Sequence, residues 1–241
     1  MKTILDVKNI AKAFDGKQVH KNVTFQLREG ETLGLLGHSG TGKSVLLRSL
    51  IGLEQPDKGE IIYRGQKIDH LTEEELFPIR TKISYAFQNA ALFDSYSVFE
   101  NIAFPILAHR NVTEEQLTQR VDELLKFVNM DQTDHLMPSD LSGGMQKRIG
   151  LARAIALDPD IVLYDEPTAG LDPLNVEMVL ELMKKFQARG CSGILVTHDI
   201  IAAKKVCDRF LILRDGAIHF EGTLKDFENS KDEFVQTFWT E

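Results

Sequence analysis

Eight consecutive residues, Gly37-His38-Ser39-Gly40-Thr41-Gly42-Lys43-Ser44, combine three glycines with a lysine and a hydroxyl at a spacing suited to holding phosphate. The glycines let the backbone curl tightly, so that successive N–H groups converge on phosphate oxygens. The apolar run Thr32-Leu33-Gly34-Leu35-Leu36 precedes the loop, and a helical pattern from Gly42 to about Ile51 follows it. The free N–H groups and dipole at that helix start favour negative charge. Lys43 has the reach for β- and γ-phosphates, and the Ser44 hydroxyl is a suitable Mg²⁺ ligand. A chance glycine-rich turn is the alternative. The strand-loop-helix setting favours a nucleotide site.

Other polar residues lie where apolar strands are expected to end. Ile161-Val162-Leu163-Tyr164, nearly all apolar as a strand buried on both faces should be, runs into Asp165-Glu166-Pro167. Asp165 is placed to hold Mg²⁺, usually through water, and Glu166 to orient or deprotonate an attacking water. Ser192 to Thr197 delivers His198-Asp199, with His198 poised for a γ-phosphate, although a lone histidine there is more often an ordinary loop residue. Lys82 to Phe87 ends at Gln88, which reads either as a ligand contact or as a solvated glutamine. Leu141-Ser142-Gly143-Gly144 opens a helix running from Met145 to about Leu157. Ser142 is a good N-cap there, and the bare N–H groups could equally form a second phosphate contact. Phe14, ahead of Asp15-Gly16, could stack on a base or belong to the core.

The elements that must position these residues follow from periodicity. Residues 3 to 36 read as short strands, Gly59 to Ile68 as a hairpin, and Thr72-Glu73-Glu74-Glu75 as a capping box for a short helix. From about Ser97 to Met130 the pattern is helical, with Thr113-Glu114-Glu115-Gln116 capping a helix that repeats Leu117, Val121, Leu124, Leu125 and Val128. That stretch is expected to be an inserted subdomain. Asn175 to Arg189 is an amphipathic helix stopped by Gly190. Strands alternating with helices predict an α/β fold whose parallel sheet carries its ligand at the carboxyl ends of the strands. One domain is expected, with residues 1–90 and 141–222 as core, about 91–140 as helical subdomain, and about 223–241 as a tail. In the tail, Phe234, Val235, Phe238 and Trp239 make a narrow apolar face that packs on the body or meets a partner, with self-packing favoured.

Composition sets the outer limits. The 241 residues suffice for a substantial core, and a formal charge of -8 argues against non-specific nucleic-acid binding. Cys191 and Cys207 show neither metal-ligand spacing nor a disulfide framework, which fits a reducing cytosol. The first residues lack the apolar run of a signal peptide, and no window approaches the ~18 apolar residues of a spanning helix. A soluble chain that docks on a membrane protein is expected.

With these motifs in order, about residues 3 to 225 resemble the nucleotide-binding subunit of ATP-binding-cassette (ABC) transporters. Gly37 to Ser44 matches the Walker A motif, Gln88 the Q-loop, and Leu141 to Gly144 the family signature. Ile161 to Glu166 matches Walker B, Ala169-Gly170-Leu171-Asp172 the D-loop, and His198 the switch histidine. The resemblance implies a P-loop NTPase of the ABC ATPase type, mainly a parallel sheet with an N-terminal antiparallel β subdomain and a helical insertion. It implies ATP hydrolysis with Glu166 and His198 catalytic, and Mg²⁺ held by Ser44, Gln88 and Asp165. Nucleotide contacts are implied for Phe14, for Gly37, His38, Ser39, Gly40, Thr41, Gly42, Lys43, Ser44 and Val45, and for Gln88 and Asp172. Ser142, Gly143 and Gly144 would act across a homodimer that sandwiches two ATP molecules.

Met145 departs from the glutamine many members carry, leaving the backbone donors of Ser142 to Gly144 as the contact. Gly144 to Arg148, Ser44 to Arg48 and Glu100 to Pro105 look more like the ATPases of Mla-type bacterial phospholipid transporters. That likeness implies a membrane permease and an MCE-domain lipid-binding protein as partners, no nucleic acid, and a peripheral place on the cytoplasmic face of the inner membrane. The alternatives are an ABC ATPase for another cargo, such as an amino acid or drug, and a soluble cassette outside transport.

Overall fold

A computed structural model describes residues 2–238. Its sheet begins with β1 (Thr3–Phe14) and β2 (Lys17–Arg28), joined at Asp15-Gly16. β3 (Thr32–Leu36) is buried along its whole length and feeds α1 (Lys43–Leu50) through the glycine-rich loop. A hairpin of β4 (Lys58–Tyr63) and β5 (Gln66–Lys67), α2 (Glu73–Arg80) and β6 (Ile83–Ala86) come next. Two helices follow, α3 (Val98–His109) and α4 (Glu114–Phe127), each opened by a complete capping box, at Ser97 with Glu100 and at Thr113 with Gln116. The chain then forms α5 (Gly143–Ala154), β7 (Ile161–Asp165), α6 (Pro173–Ala188), β8 (Ser192–Val196) and α7 (Ile200–Val206). It closes with β9 (Arg209–Arg214), β10 (Ala217–Thr223), α8 (Leu224–Glu228) and α9 (Glu233–Thr237).

The strands run in the order β5-β4-β1-β2-β10-β9-β3-β8-β7-β6. β9, β3, β8, β7 and β6 are parallel neighbours, whereas β1 pairs antiparallel with both β2 and β4. The two regions of the sheet meet where Ala217 of β10 pairs with Asn22 of β2. β1 and β2 are twelve residues each, longer than the short strands their sequence suggests. The cause is local: Asn9 adopts φ 52°, the register shifts between Val7 and Ile10, and the buried face resets from Leu5 and Val7 to Ile10. A bulge of this kind interrupts the period of two that identifies a strand.

Apolar side chains fill both faces of the sheet. One cluster joins Leu5, Val7, Phe25, Leu46, Leu47 and Leu163; the other joins Ile102, Val121, Ile149, Leu180, Phe186 and Phe210. The stripe on α4 is therefore core, as the sequence suggests, since Leu117, Val121, Leu124 and Leu125 are buried. Burying a leucine-sized side chain contributes roughly 1.5–3 kcal/mol, so removing any one of these is costly. α5 is shorter than its sequence pattern, ending at Ala154 with Ile155 as its C-cap.

The C-terminal segment folds back on the body. Phe227 stacks on Phe210 at 5.4 Å between ring centroids, and Val235 and Phe238 are buried. Trp239, the last residue of the expected apolar face, lies outside the described residues. Among the described residues no helix is long and apolar enough to cross a membrane.

Candidate functional site

Parallel pairing puts the carboxyl ends of β3, β6, β7 and β8 on one edge, and each delivers candidate residues there. They border an open cleft of about 660 Å³, lined by Phe14, Val19, Gly37, His38, Ser39, Gly40, Gly42, Lys43, Ser44, Val45, Gln88, Glu166, Val196, His198 and Phe238.

The loop after β3 is drawn tight by its own side chains. Lys43 Nζ donates to the carbonyls of Gly37 at 2.6 Å and His38 at 3.0 Å, and Thr41 Oγ1 donates to the His38 carbonyl at 2.9 Å. Burial pulls the Lys43 ammonium below its usual range, opposed by the Glu166 and Asp165 carboxylates. A phosphate brought to the cleft would supply the acceptors this buried cation otherwise takes from the backbone. Gly42 has φ 95°, and a Cβ there would come within 2.4 Å of Val19 Cγ1 and 2.8 Å of His20 Nε2. Only glycine fits both the dihedral and the space.

β7 ends in the two carboxylates. Asp165 accepts from Ser44 Oγ at 3.0 Å and from the Tyr85 hydroxyl at 2.6 Å. Burial first, and the bond to Asp165 second, push the Tyr85 hydroxyl well above its usual range, so it stays a donor. Glu166 turns out of the strand at φ 50°, with its N–H bound to the Val196 carbonyl at 2.9 Å. Left-handed backbone at a residue other than glycine is uncommon and concentrates at functional sites. Here it brings Glu166 Oε2 to 3.0 Å from His198 Nδ1, which donates to it. Lys147 of α5 reaches the carbonyls of Glu166 and Ala169, bracing the same turn.

Not every expected residue borders the cleft. Ser142, Gly143 and Gly144 open α5 away from it, and Ser142 caps its helix by accepting from Met145 N at 3.4 Å. Asp172 caps α6, accepting from Asn175 N at 3.1 Å and Asn175 Nδ2 at 2.6 Å. Thr41 braces the loop from within, and Asp165 stands behind Ser44.

Tyr85, Lys147 and His20 take part in the site without having been singled out as site residues in the sequence, and Phe238, read there only as part of the tail's apolar face, lines the cleft. His20 is fully buried beneath the loop, where its Nε2–H donates to the Gly42 carbonyl at 3.1 Å. Burial lowers its basicity, and among the described residues its Nδ1 has no hydrogen-bond partner. The facing change in β2 between His20 and Val23 conceals it from period-two reading. Phe238 arrives from the far end of the chain and packs on the His38 ring at 5.1 Å, a contact that no local pattern signals.

Ser44 and Asp165, bonded to each other at 3.0 Å, and Gln88 on the border of the same cleft offer oxygen donors of the kind Mg²⁺ takes. Among the described residues there is no cluster of three His, Cys, Asp or Glu able to cage a metal. Mg²⁺ suits such a place, because it binds through one or two protein oxygens with water and phosphate completing its shell.

Known proteins share this architecture. The profile of the ABC transporter family matches residues 20–169. The intermembrane phospholipid transport ATP-binding protein MlaF of Haemophilus influenzae is 37% identical over 98% of this chain and 89% of its own length. The methionine import ATP-binding protein MetN of Haemophilus ducreyi is 36% identical over 98% of this chain and 70% of its own. In structure, the ATP-binding cassette MJ0796, solved as a dimer in a post-hydrolysis state with ADP and Pi, superposes with a TM-score of 0.85. That superposition covers 91% of this chain and 98% of the cassette, at 33% identity. The chain belongs to the ABC transporter family, as an ATP-binding subunit. It binds ATP and ADP, hydrolyses ATP to ADP and phosphate, and energises a transporter.

Proposed function

We propose that the chain powers the movement of phospholipid between inner and outer membranes, as the ATPase of an Mla-type complex. The observation that carries this reading is the likeness to MlaF, which extends over nearly the full length of both proteins. The similar identity to MetN keeps methionine import as the second reading.

In the proposed cycle, Phe14 stacks on adenine while the Gly37–Ser44 backbone and Lys43 hold the phosphates, with Val45 and Gln88 along the cleft. Ser44, Asp165 and Gln88 would hold Mg²⁺, which when bound neutralises phosphate charge. Glu166 takes the proton of the attacking water, and His198, already bonded to Glu166 at 3.0 Å, steers the γ-phosphate side. Ser142, Gly143, Gly144 and Asp172 complete the nucleotide site of a second, identical chain, so that ATP joins the two copies and hydrolysis releases them. The domain is read as a core of residues 1–90 and 141–222, a helical subdomain over about 91–140, and a tail over about 223–241.

Phe87, Phe93, Tyr96, Phe104 and Leu107 are exposed between β6 and the end of α3, with Phe77 nearby stacked on His109 at 4.0 Å. An aromatic patch of this kind suits an apolar partner helix, and it supports docking of a permease there, on the cytoplasmic face of the inner membrane. An MCE-domain lipid-binding protein is proposed as a further member of the complex, and nucleic acid is not. The deciding experiment is a mild-detergent pull-down from native membranes, with mass spectrometry of proteins and lipids. A permease with an MCE-domain protein and phospholipid is the expected result. A permease with a different binding protein would discard the lipid cargo, and no membrane partner would favour a cassette outside transport.

A further inference from the structure

The segment that follows Gln88 is held in a conformation its own sequence disfavours. Ala90 and Ala91 are successive alanines at φ 57° and φ 50°, in the left-handed region that L-residues avoid. Strain of this sort persists only where surrounding groups over-determine it. Arg153 does so directly here, and Asn101 supports it from the following residues. Arg153, in the last turn of α5, donates through one terminal nitrogen to the carbonyls of Ala90 at 2.9 Å and Ala91 at 2.8 Å, and its guanidinium lies 5.4 Å over the Phe93 ring. Asn101, fully buried in α3, donates to the carbonyls of Phe93, Tyr96 and Ser97 at 3.0–3.1 Å. Its side-chain oxygen accepts from Phe93 N at 2.8 Å and from Arg153 at 3.4 Å. Gly150, one turn before Arg153, lets α5 approach closely, for a Cβ there would stand 2.9 Å from the Ala90 Cβ.

We propose that Arg153 and Asn101 are positioning residues for ATP hydrolysis: Arg153 clamps the left-handed Ala90-Ala91 pair, and Asn101 holds Arg153 and the Phe93–Ser97 stretch that follows, so that Gln88 is presented to the cleft. The clamp also fixes that segment to α5, the helix whose opposite end carries Ser142, Gly143 and Gly144. This inference rests on the reading of Gln88 as a nucleotide and Mg²⁺ contact.

The test compares Arg153→Met, Arg153→Lys, Asn101→Ala and Gln88→Ala in the full chain, by ATPase titrations in ATP and in Mg²⁺. Nucleotide affinity without Mg²⁺ and thermal melting are followed alongside. Arg153→Met is expected to lower kcat about tenfold and to raise the Mg²⁺ concentration for half-maximal rate, in the same direction as Gln88→Ala, because a small misplacement of a positioned group costs rate. Affinity without Mg²⁺ should stay within about twofold, since Arg153 lies outside the phosphate loop. Arg153→Lys, able to reach one carbonyl, should fall between. Adding Ala91→Gly to Arg153→Met should recover part of kcat, as glycine takes the left-handed conformation without a Cβ penalty. A purely structural role would lower the melting temperature and leave the Mg²⁺ dependence unmoved, which would overturn the clamp. Should Gln88→Ala shift the Mg²⁺ dependence while Arg153→Met and Asn101→Ala do not, the clamp fails and the reading of Gln88 stands. If Gln88→Ala is itself without effect, the reading of Gln88 fails and takes this inference with it.

Discussion

The strand-end cleft and the start of α5 carry the two sets of residues with the best claim on phosphate, and they are built to different degrees of completion. In the cleft, side chains already answer one another: Ser44 and Tyr85 bond Asp165, His198 bonds Glu166, and Lys43 spans its own loop. At α5, Ser142 and Gly143 are exposed, and a Cβ on Gly143 would meet nothing within 4 Å. The donors at the α5 start face open space within their own chain, as a contact proposed to act on a second copy would require. In the proposed cycle the cleft binds and cleaves ATP, and the α5 start serves the second copy.

That contrast can be broken by mutation. The largest effect is expected of Glu166→Gln, which keeps the shape of the turn but removes the base: turnover should fall by about 10²–10⁴-fold, with ATP affinity preserved in an equilibrium binding assay. Near-normal hydrolysis would remove Glu166 from catalysis. Gly143→Asp comes next, its side chain having room in this chain but placing a carboxylate against the partner's phosphates. Turnover should drop by roughly 10²-fold, comparable to losing a transition-state donor, while nucleotide affinity of the isolated chain at low concentration is unchanged. Weakened binding at that concentration would mean that Gly143 serves its own cleft.

Tyr85→Phe sharpens the comparison within the cleft. It frees one oxygen of Asp165 and should raise the Mg²⁺ concentration for half-maximal turnover by about tenfold, the lower end of what an outer-shell partner contributes. An unchanged Mg²⁺ titration would mean that the Tyr85 bond is scaffolding. The smallest effect concerns His20 and is seen in stability. Its folded-state basicity is lowered by burial, so below its ordinary pKa of about 6.5 the unfolded chain binds a proton that the folded chain refuses. The stability it contributes is therefore present above that pH and is lost as pH falls through the lowered folded value. Melting temperatures measured from pH 8 to pH 5 should decline less steeply in His20→Gln than in the parent. Parallel curves would show that His20 titrates as it does in the unfolded chain.

Much of the site was legible because its parts are local. A phosphate loop needs glycines, a lysine and a helix start within a few residues, and chain order alone supplies them. The capping boxes at Thr72 and Thr113 are equally short-range, each closing over three residues. Legibility failed where the chain changes period or direction. The bulge at Asn9 split β1, the facing change between His20 and Val23 concealed His20, and Tyr85, on a strand reading as ordinary core, gave no sign of reaching Asp165.

The sequence by itself determined which residues are able to do the chemistry and which short elements carry them, because propensity, capping and loop geometry are set by near neighbours. The tertiary structure decided that β3, β8, β7 and β6 lie side by side with their ends on one edge, since strand order is fixed by pairing between segments up to about a hundred and sixty residues apart. It also decided the left-handed turn at Glu166 and the return of Phe238 to the nucleotide cleft. Each depends on packing against distant partners, Val196 for the turn and His38 for the tail, whose positions no local pattern encodes.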